Sequence, residues 1–231
     1  MSGTLLSICQ DAMKEVGNYD APSTIYGNAN PTAVQLLALL TRSGKTLRRE
    51  KWQALIKTGT ITTVASTQTY ALPSDWVGFD PMTFWDATQK WSLEGPVSPA
   101  EWAALTYATT SPVGIKTYFM VAAGYIYLLP TPSSVRTLNY TYRTKYWIAS
   151  QTKEAFTDDT DIPDLDDQML IADLKWRWAQ AKGLDGWEVL KADAEDIKSR
   201  LLTADGGKAP VVFGYMRSFS PGNLPEIGYG T

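Results

Sequence analysis

Leu165-Asp166-Asp167-Gln168-Met169-Leu170-Ile171-Ala172-Asp173-Leu174-Lys175-Trp176-Arg177-Trp178-Ala179-Gln180-Ala181-Lys182 is the stretch that decides the fold. Met169, Leu170, Leu174, Trp178 and Ala181 recur at helical spacing, and Gly183 supplies the stop. A second helix is expected from about Asp185 to Thr203. Its Trp187, Leu190, Ala194, Ile197 and Leu201 alternate three and four apart, the spacing of a packing seam. Both helices follow a long run of strand signals, and helical patterns also open the chain. The order is therefore two helices, a β-rich middle and two helices, an α+β arrangement.

Working outward, Leu5, Cys9, Ala12, Met13 and Val16 predict a first helix over residues 4–17, stopped at Gly17-Asn18. Asn30 as N-cap and Pro31 at the first helical position predict a second, reaching about Lys57. Val34, Leu37, Leu40, Leu47 and Trp52 would be its apolar side, and Gly44 a weak point that kinks it. From Gly59 the period changes. Residues 60–64 and 68–72 read as a hairpin. Phe79–Trp85, Lys90–Leu93 and Arg136–Tyr142 read as strands, and 116–121 with 125–129 as a hairpin around Ala123-Gly124. Ser98 to Glu101 has capping-box spacing and opens a short helix to about Tyr107. The expected organisation is N-terminal helices over 1–58, a β-rich insertion over 59–150, C-terminal helices over 151–203 and an extended arm over 204–231. The helices from both chain ends are expected to pack as an antiparallel-type bundle.

The 231 residues include no histidine and one cysteine, Cys9. Lacking histidine removes the commonest general base and metal ligand, and one cysteine excludes an internal disulfide framework. The net charge of −3 argues against a broadly basic nucleic-acid surface. No apolar run approaches the ~20 residues that span a bilayer, and no secretion signal is expected. Ser43-Gly44-Lys45-Thr46 resembles half a phosphate loop, but Leu39 stands where its first glycine belongs and the pattern around it is helical. Asp159, Asp161, Asp164, Asp166 and Asp167 fail the spacing of a calcium loop, with Pro163 at a ligand position and Leu170 at the closing one. No catalytic residue, metal site or cofactor is therefore expected, and the chain reads as a structural protein rather than an enzyme. Carboxylate chemistry near Asp158–Asp167 stays open as a rival reading.

What stands out instead suits assembly. Arg42, Lys45, Arg48, Arg49, Lys51 and Lys57 make one stretch basic, while Asp159, Asp161 and Asp164 lie in an acidic one. These read as complementary faces between subunits. Trp176 and Trp178 sit two apart on one helix and point to different faces, so Trp176 or Arg177 could contact a second subunit. Trp85, Trp91 and Trp102 read either as core fillers of the β region or as a sugar-stacking platform of a carbohydrate- or receptor-binding tail module. The sheet's need for large side chains favours the core. Val211, Val212, Phe213, Tyr215, Met216 and Phe219 make the last segment too apolar for a solvated tail. Such a segment can order on docking to a partner.

The runs Leu5-Leu6-Ser7-Ile8-Cys9-Gln10-Asp11-Ala12-Met13-Lys14-Glu15-Val16-Gly17, Gly27-Asn28-Ala29-Asn30-Pro31-Thr32-Ala33, Leu93-Glu94-Gly95-Pro96-Val97-Ser98-Pro99-Ala100-Glu101-Trp102 and Leu170–Asp185 together resemble the head-to-tail adaptor (connector) family of tailed phages. That family includes the tail tubular A proteins of short-tailed phages. The resemblance spans most of residues 4–203. It implies a helical bundle with a β-rich insertion, and about twelve copies closing as a ring by heterologous contacts. It implies portal protein and a tail nozzle or next tail component as partners, and DNA passing through the lumen without specific binding. The arm would reach the portal. It also implies a virion protein at the head–tail junction, assembled in the host cytoplasm, with no membrane.

Overall fold

A computed structural model describes residues 3–17, 20–80, 82–107 and 116–206. It is mixed α and β, with two compact units. One gathers the chain up to Ile56 and again from Thr144, and the other spans Lys57–Arg143.

Among the described residues the first unit holds four α-helices. Helix α1 (Leu5–Glu15) begins where the Thr4 hydroxyl accepts from Ser7 N–H at 3.3 Å. Leu5, Ile8, Cys9, Ala12 and Met13 form its buried face. Helix α2 (Pro31–Leu47) starts as the sequence predicts, with the Asn30 side chain accepting from Thr32 N–H. It stops at Leu47 rather than Lys57. Trp52, 4% exposed, turns back under the helix end and its indole N–H donates to the Leu47 carbonyl at 2.8 Å. The Leu47 carbonyl, which also accepts from Glu50 N–H at 3.1 Å, thus gains a second donor from a buried tryptophan. The apolar side is also rotated from expectation. Ala33, Leu36, Leu40, Ser43, Gly44 and Leu47 are buried, whereas Val34 is 53% exposed.

Gly44 explains the rotation. A Cβ there would meet Trp147 Cη2 at 2.1 Å, and Trp147 is fully buried. Gly44 is not a weak point but the place where an indole lies flat on a helix backbone, an approach only glycine permits.

Helix α4 (Asp167–Lys182) is capped by Asp166, whose carboxylate accepts from Met169 N–H at 3.1 Å, and closed by Gly183 at φ +67°. It packs against α1, α2 and α5 (Trp187–Asp205). The α5 seam turns Ala194 fully inward, with Ile197 and Leu201 partly buried against the core.

The second unit contains helix α3 (Pro99–Tyr107) and eight strands: β1 (Ile56–Thr62), β2 (Thr69–Ala71), β3 (Trp76–Phe79), β4 (Trp85–Asp86), β5 (Trp91–Ser92), β6 (Tyr118–Ala122), β7 (Tyr125–Leu129) and β8 (Thr137–Thr144). The first and last strands carry one residue each, Ile56 and Thr144, from the helical unit. One sheet runs β1-β8-β4-β5 with β3 also on β8, and the other runs β2-β7-β6. The β6–β7 hairpin forms as predicted, with Ala123 at φ 50° and Gly124 at φ 81° in the two-residue turn.

The hairpin expected between residues 60–64 and 68–72 does not form. Thr63, 1% exposed, pairs its N–H with the Arg136 carbonyl at 2.8 Å, while its hydroxyl bonds Ser134 O and Arg136 N. That draws β1 towards β8, and β2 pairs with β7 instead. The core here mixes aliphatic residues, Ile61, Leu93, Ile126, Leu128 and Leu138, with phenylalanine and tyrosine. Phe84 stacks on Tyr140 at 4.9 Å, and Phe79 meets Phe84, Phe119 and Tyr140 edge-on. Trp85, Trp91 and Trp102 are only half-buried, so core filling by these three is not what the structure shows.

Candidate functional site

The basic stretch separates into two kinds of cation. Arg48 is internal: its guanidinium donates to the Lys145 carbonyl at 2.6 Å and pairs with Glu154 at 3.1 Å. Lys57 pairs with Asp75 in the β unit. Arg42, Lys45, Arg49 and Lys51 are exposed and have no ion-pair partner among the described residues. Arg42, Lys45 and Arg49 are three and four apart. At 100° per residue Arg42 and Lys45 fall on the side of α2 opposite its buried one, and Arg49 follows in the turn just past the helix end. No acidic residue occurs within α2.

The acidic stretch is committed to its own chain. The Asp159 carboxylate accepts from the N–H groups of Ile25 and Tyr26, the latter at 2.7 Å. Asp161 accepts from Thr157 N–H at 2.7 Å and Asp158 N–H at 3.1 Å, and pairs with Lys153. Burial pushes the Asp161 carboxyl up, but the Lys153 ammonium and those backbone donors outweigh it and hold it below the usual carboxylate range. Asp164 accepts from Ser150 N–H at 3.0 Å and Gln151 N–H at 2.7 Å. Those two residues, with Ala149, lie at positive φ. A left-handed run costs roughly 1–2 kcal/mol per residue, and the carboxylate seated on its consecutive N–H groups offsets that.

Trp176 and Arg177 are brought together by a residue the sequence reading passed over. Asp173, 8% exposed, accepts from Trp176 Nε1 and Arg177 Nε, each at 2.7 Å, and from the Ser43 hydroxyl of α2. The Arg177 guanidinium lies over the Trp176 ring at 4.5 Å, and the Lys191 ammonium over the same ring at 5.7 Å. The patch borders a cleft of about 200 Å³ between α2, α4 and α5. Trp178 points inward and is 3% exposed. The signal for Asp173 was present: an acid next to Leu174 on the apolar side of a helix needs a buried partner.

Two rival sites can be weighed on geometry. A groove of about 780 Å³ is lined by Asp164, Asp166, Asp167 and Asp205. Each of these carboxylates accepts from a backbone N–H, of Ser150 and Gln151, Met169, Gly3 and Gln53 respectively. They hold loops and helix ends together, and no metal-binding cluster occurs among the described residues. In the β unit, Trp85 faces Ser92 across the β4–β5 pair while Asp86 faces Trp91. Opposed residues share a face and successive ones alternate, so Trp85 and Trp91 project from opposite faces and cannot form one stacking platform. Trp102 packs on Tyr127 at 6.4 Å. Ser43-Gly44-Lys45-Thr46 lies within α2 with Gly44 covered by Trp147, which leaves no phosphate cradle. Among the described residues no helix is long and apolar enough to cross a membrane.

The profile of the SU10 adaptor protein family matches residues 4–205, both helical ends and the β-rich middle together. The chain belongs to the SU10 adaptor protein family. The adaptor is thus a phage structural protein and a virion component, and the family implies interaction with portal and tail components. The resemblance to phage head-to-tail adaptors is borne out. No curated protein matches the chain. Val211, Val212, Phe213, Tyr215, Met216 and Phe219 lie outside the described residues, as they lie beyond the family match.

Proposed function

We propose that this adaptor forms a homo-oligomeric ring of about twelve copies that docks on the portal, joins it to the next tail component and continues the DNA channel. It works by assembly and not by catalysis. The helices of both chain ends would form the ring body, residues 59–150 an insertion from it, and the apolar segment Val211–Phe219 the part that reaches the portal.

The observation that carries the ring is the outward line Arg42, Lys45 and Arg49. In a unit where the carboxylates of Asp159, Asp161, Asp164 and Asp173 are all taken up internally, Arg42, Lys45 and Arg49 have no ion-pair partner among the described residues. Charges left open in register suit a surface completed by another molecule. The Trp176–Arg177 patch, an aromatic with a stacked guanidinium, has the composition of an interface anchor.

Electron microscopy of the protein mixed with its portal tests this. Rings seated coaxially on the portal are expected. Deleting residues 207–231 should abolish portal binding while the isolated protein keeps its helical circular dichroism. Full binding by the truncated protein would remove the arm from the proposal. A portal that never recruits the protein would overturn the adaptor ring.

A further inference from the structure

The basic line needs an acidic counterpart, and Asp159, Asp161 and Asp164 are already taken by main-chain N–H groups. The same helical unit carries another candidate. Residues 185–196 contain Asp185, Glu188, Asp193, Glu195 and Asp196 against a single cation, Lys191. Residues 42–51 contain Arg42, Lys45, Arg48, Arg49 and Lys51 against a single acid, Glu50. The two segments are opposite in sign and equal in net charge. Asp185, Glu188 and Asp193 are exposed and have no ion pair among the described residues, while Glu195 and Asp196 pair only within α5 at exposed positions.

The two helices also match in layout. On α5, Val189, Asp193 and Asp196 fall four and three apart on the side turned away from Ala194, and Val189 is 73% exposed. On α2, the outward side carries Val34, 53% exposed, before Arg42 and Lys45, and the exposed Arg49 follows just past the helix end. Each face offers an exposed valine and a charged line.

We infer that the outward face of α2 in one copy docks on the outward face of α5 in the next. This contact rests on the ring proposed above and names its surfaces. Two different patches on one body are what a heterologous, head-to-tail contact requires, and such contacts close into rings. Like charges cannot meet in register, so the pairing also sets direction around the ring.

Cysteine cross-linking on portal-bound assemblies tests it. Cys9 is fully buried, so it adds no background. A protein carrying Lys45→Cys and Asp193→Cys, treated with a short bismaleimide, should give a ladder of dimer, trimer and higher species on denaturing gels. A Lys45→Cys and Asp158→Cys protein should give none. Rings without the first ladder overturn the contact and leave the ring standing, as does a ladder from the second pair alone. A product that stops at dimer makes the contact two-fold and overturns it too. No rings at all overturns both.

Charge reversal supplies an independent arm. R42E/K45E/R49E and D185K/E188K/D193K proteins should each need roughly tenfold more protein to assemble, and an equimolar mixture should recover. Unchanged assembly by either alone refutes the pairing. Loss of duplex DNA binding as the sole effect of R42E/K45E/R49E would assign the line to the channel and overturn it as well.

Discussion

Replacing Gly44 by alanine separates a local reading of α2 from a tertiary one. On helix propensity alone, alanine should stabilise a mid-helix glycine by about 1 kcal/mol. The structure predicts the reverse. The new Cβ would sit 2.1–2.4 Å from three ring atoms of Trp147, far inside van der Waals contact. The ring has nowhere to go. It is fully buried, Phe156 meets it edge-on at 5.2 Å, and its Nε1 donates to the Glu154 carbonyl at 2.9 Å. Expelling it forfeits a buried tryptophan, roughly 3–5 kcal/mol, and the propensity gain returns about 1. The net expectation is a loss of about 2–4 kcal/mol. At a urea slope near 2 kcal/mol/M the midpoint falls by about 1–2 M.

Circular dichroism at a helical wavelength is the suitable probe, because α1, α2, α4 and α5 all lie in the unit that holds Gly44. In a Trp147→Leu background the same substitution should cost under about 1 kcal/mol, since the clashing atoms are gone. A Gly44→Ala protein as stable as the parent, or equal costs in both backgrounds, would refute the Trp147 contact.

Other perturbations address the remaining groups. Asp173→Ala should destabilise by about 3 kcal/mol, because it leaves the half-buried Arg177 and the Ser43 hydroxyl unpaired; a thermal melt unchanged by it would remove the network from the stability argument. Asp159→Ala should cost about 2–3 kcal/mol and speed hydrogen exchange at Ile25 and Tyr26, and exchange at parental rates would show that those N–H groups have other acceptors. Burial, with the Asp159 charge adding to it, pushes the Cys9 thiol from 9.0 to about 12. The unfolded thiol therefore loses its proton at lower pH than the folded one. Stability present below pH 9 should fall as pH rises towards 12, by up to about 1.4 kcal/mol per pH unit. Cys9→Ala should lack that part of the alkaline slope, and the native thiol should react with a disulfide reagent only on unfolding. Asp161 runs the other way. Its depressed carboxyl gives stability above the ordinary carboxylate range that is lost on acidification, so Asp161→Asn should flatten the acid limb of a pH–stability profile.

Much of this fold is legible one element at a time. Helix starts at Asn30 and Ser98, the stop at Gly183 and the Ala123-Gly124 turn depend on a few neighbouring residues, and the structure has them where the sequence predicts. The α5 seam and the absence of histidine are equally local facts. What needed the tertiary structure is whatever depends on residues far apart in the chain. Trp52 lies under the end of α2, not along it, with its indole bonded to the Leu47 carbonyl. Thr63 sends β1 to β8 because its partners are Ser134 and Arg136. Gly44 is required because Trp147 lies on it. Asp173 stands out in the sequence as an acid on an apolar helix side, but its partners Ser43, Trp176 and Arg177 converge on it only in the fold. The same holds for the assembly surfaces. Composition marks a basic and an acidic stretch, but every carboxylate looks available in a sequence. Only the folded chain spends Asp159, Asp161 and Asp164 on its own backbone and leaves Arg42, Lys45 and Arg49 facing outward, since a charge is free or taken according to what lies within about 3 Å of it.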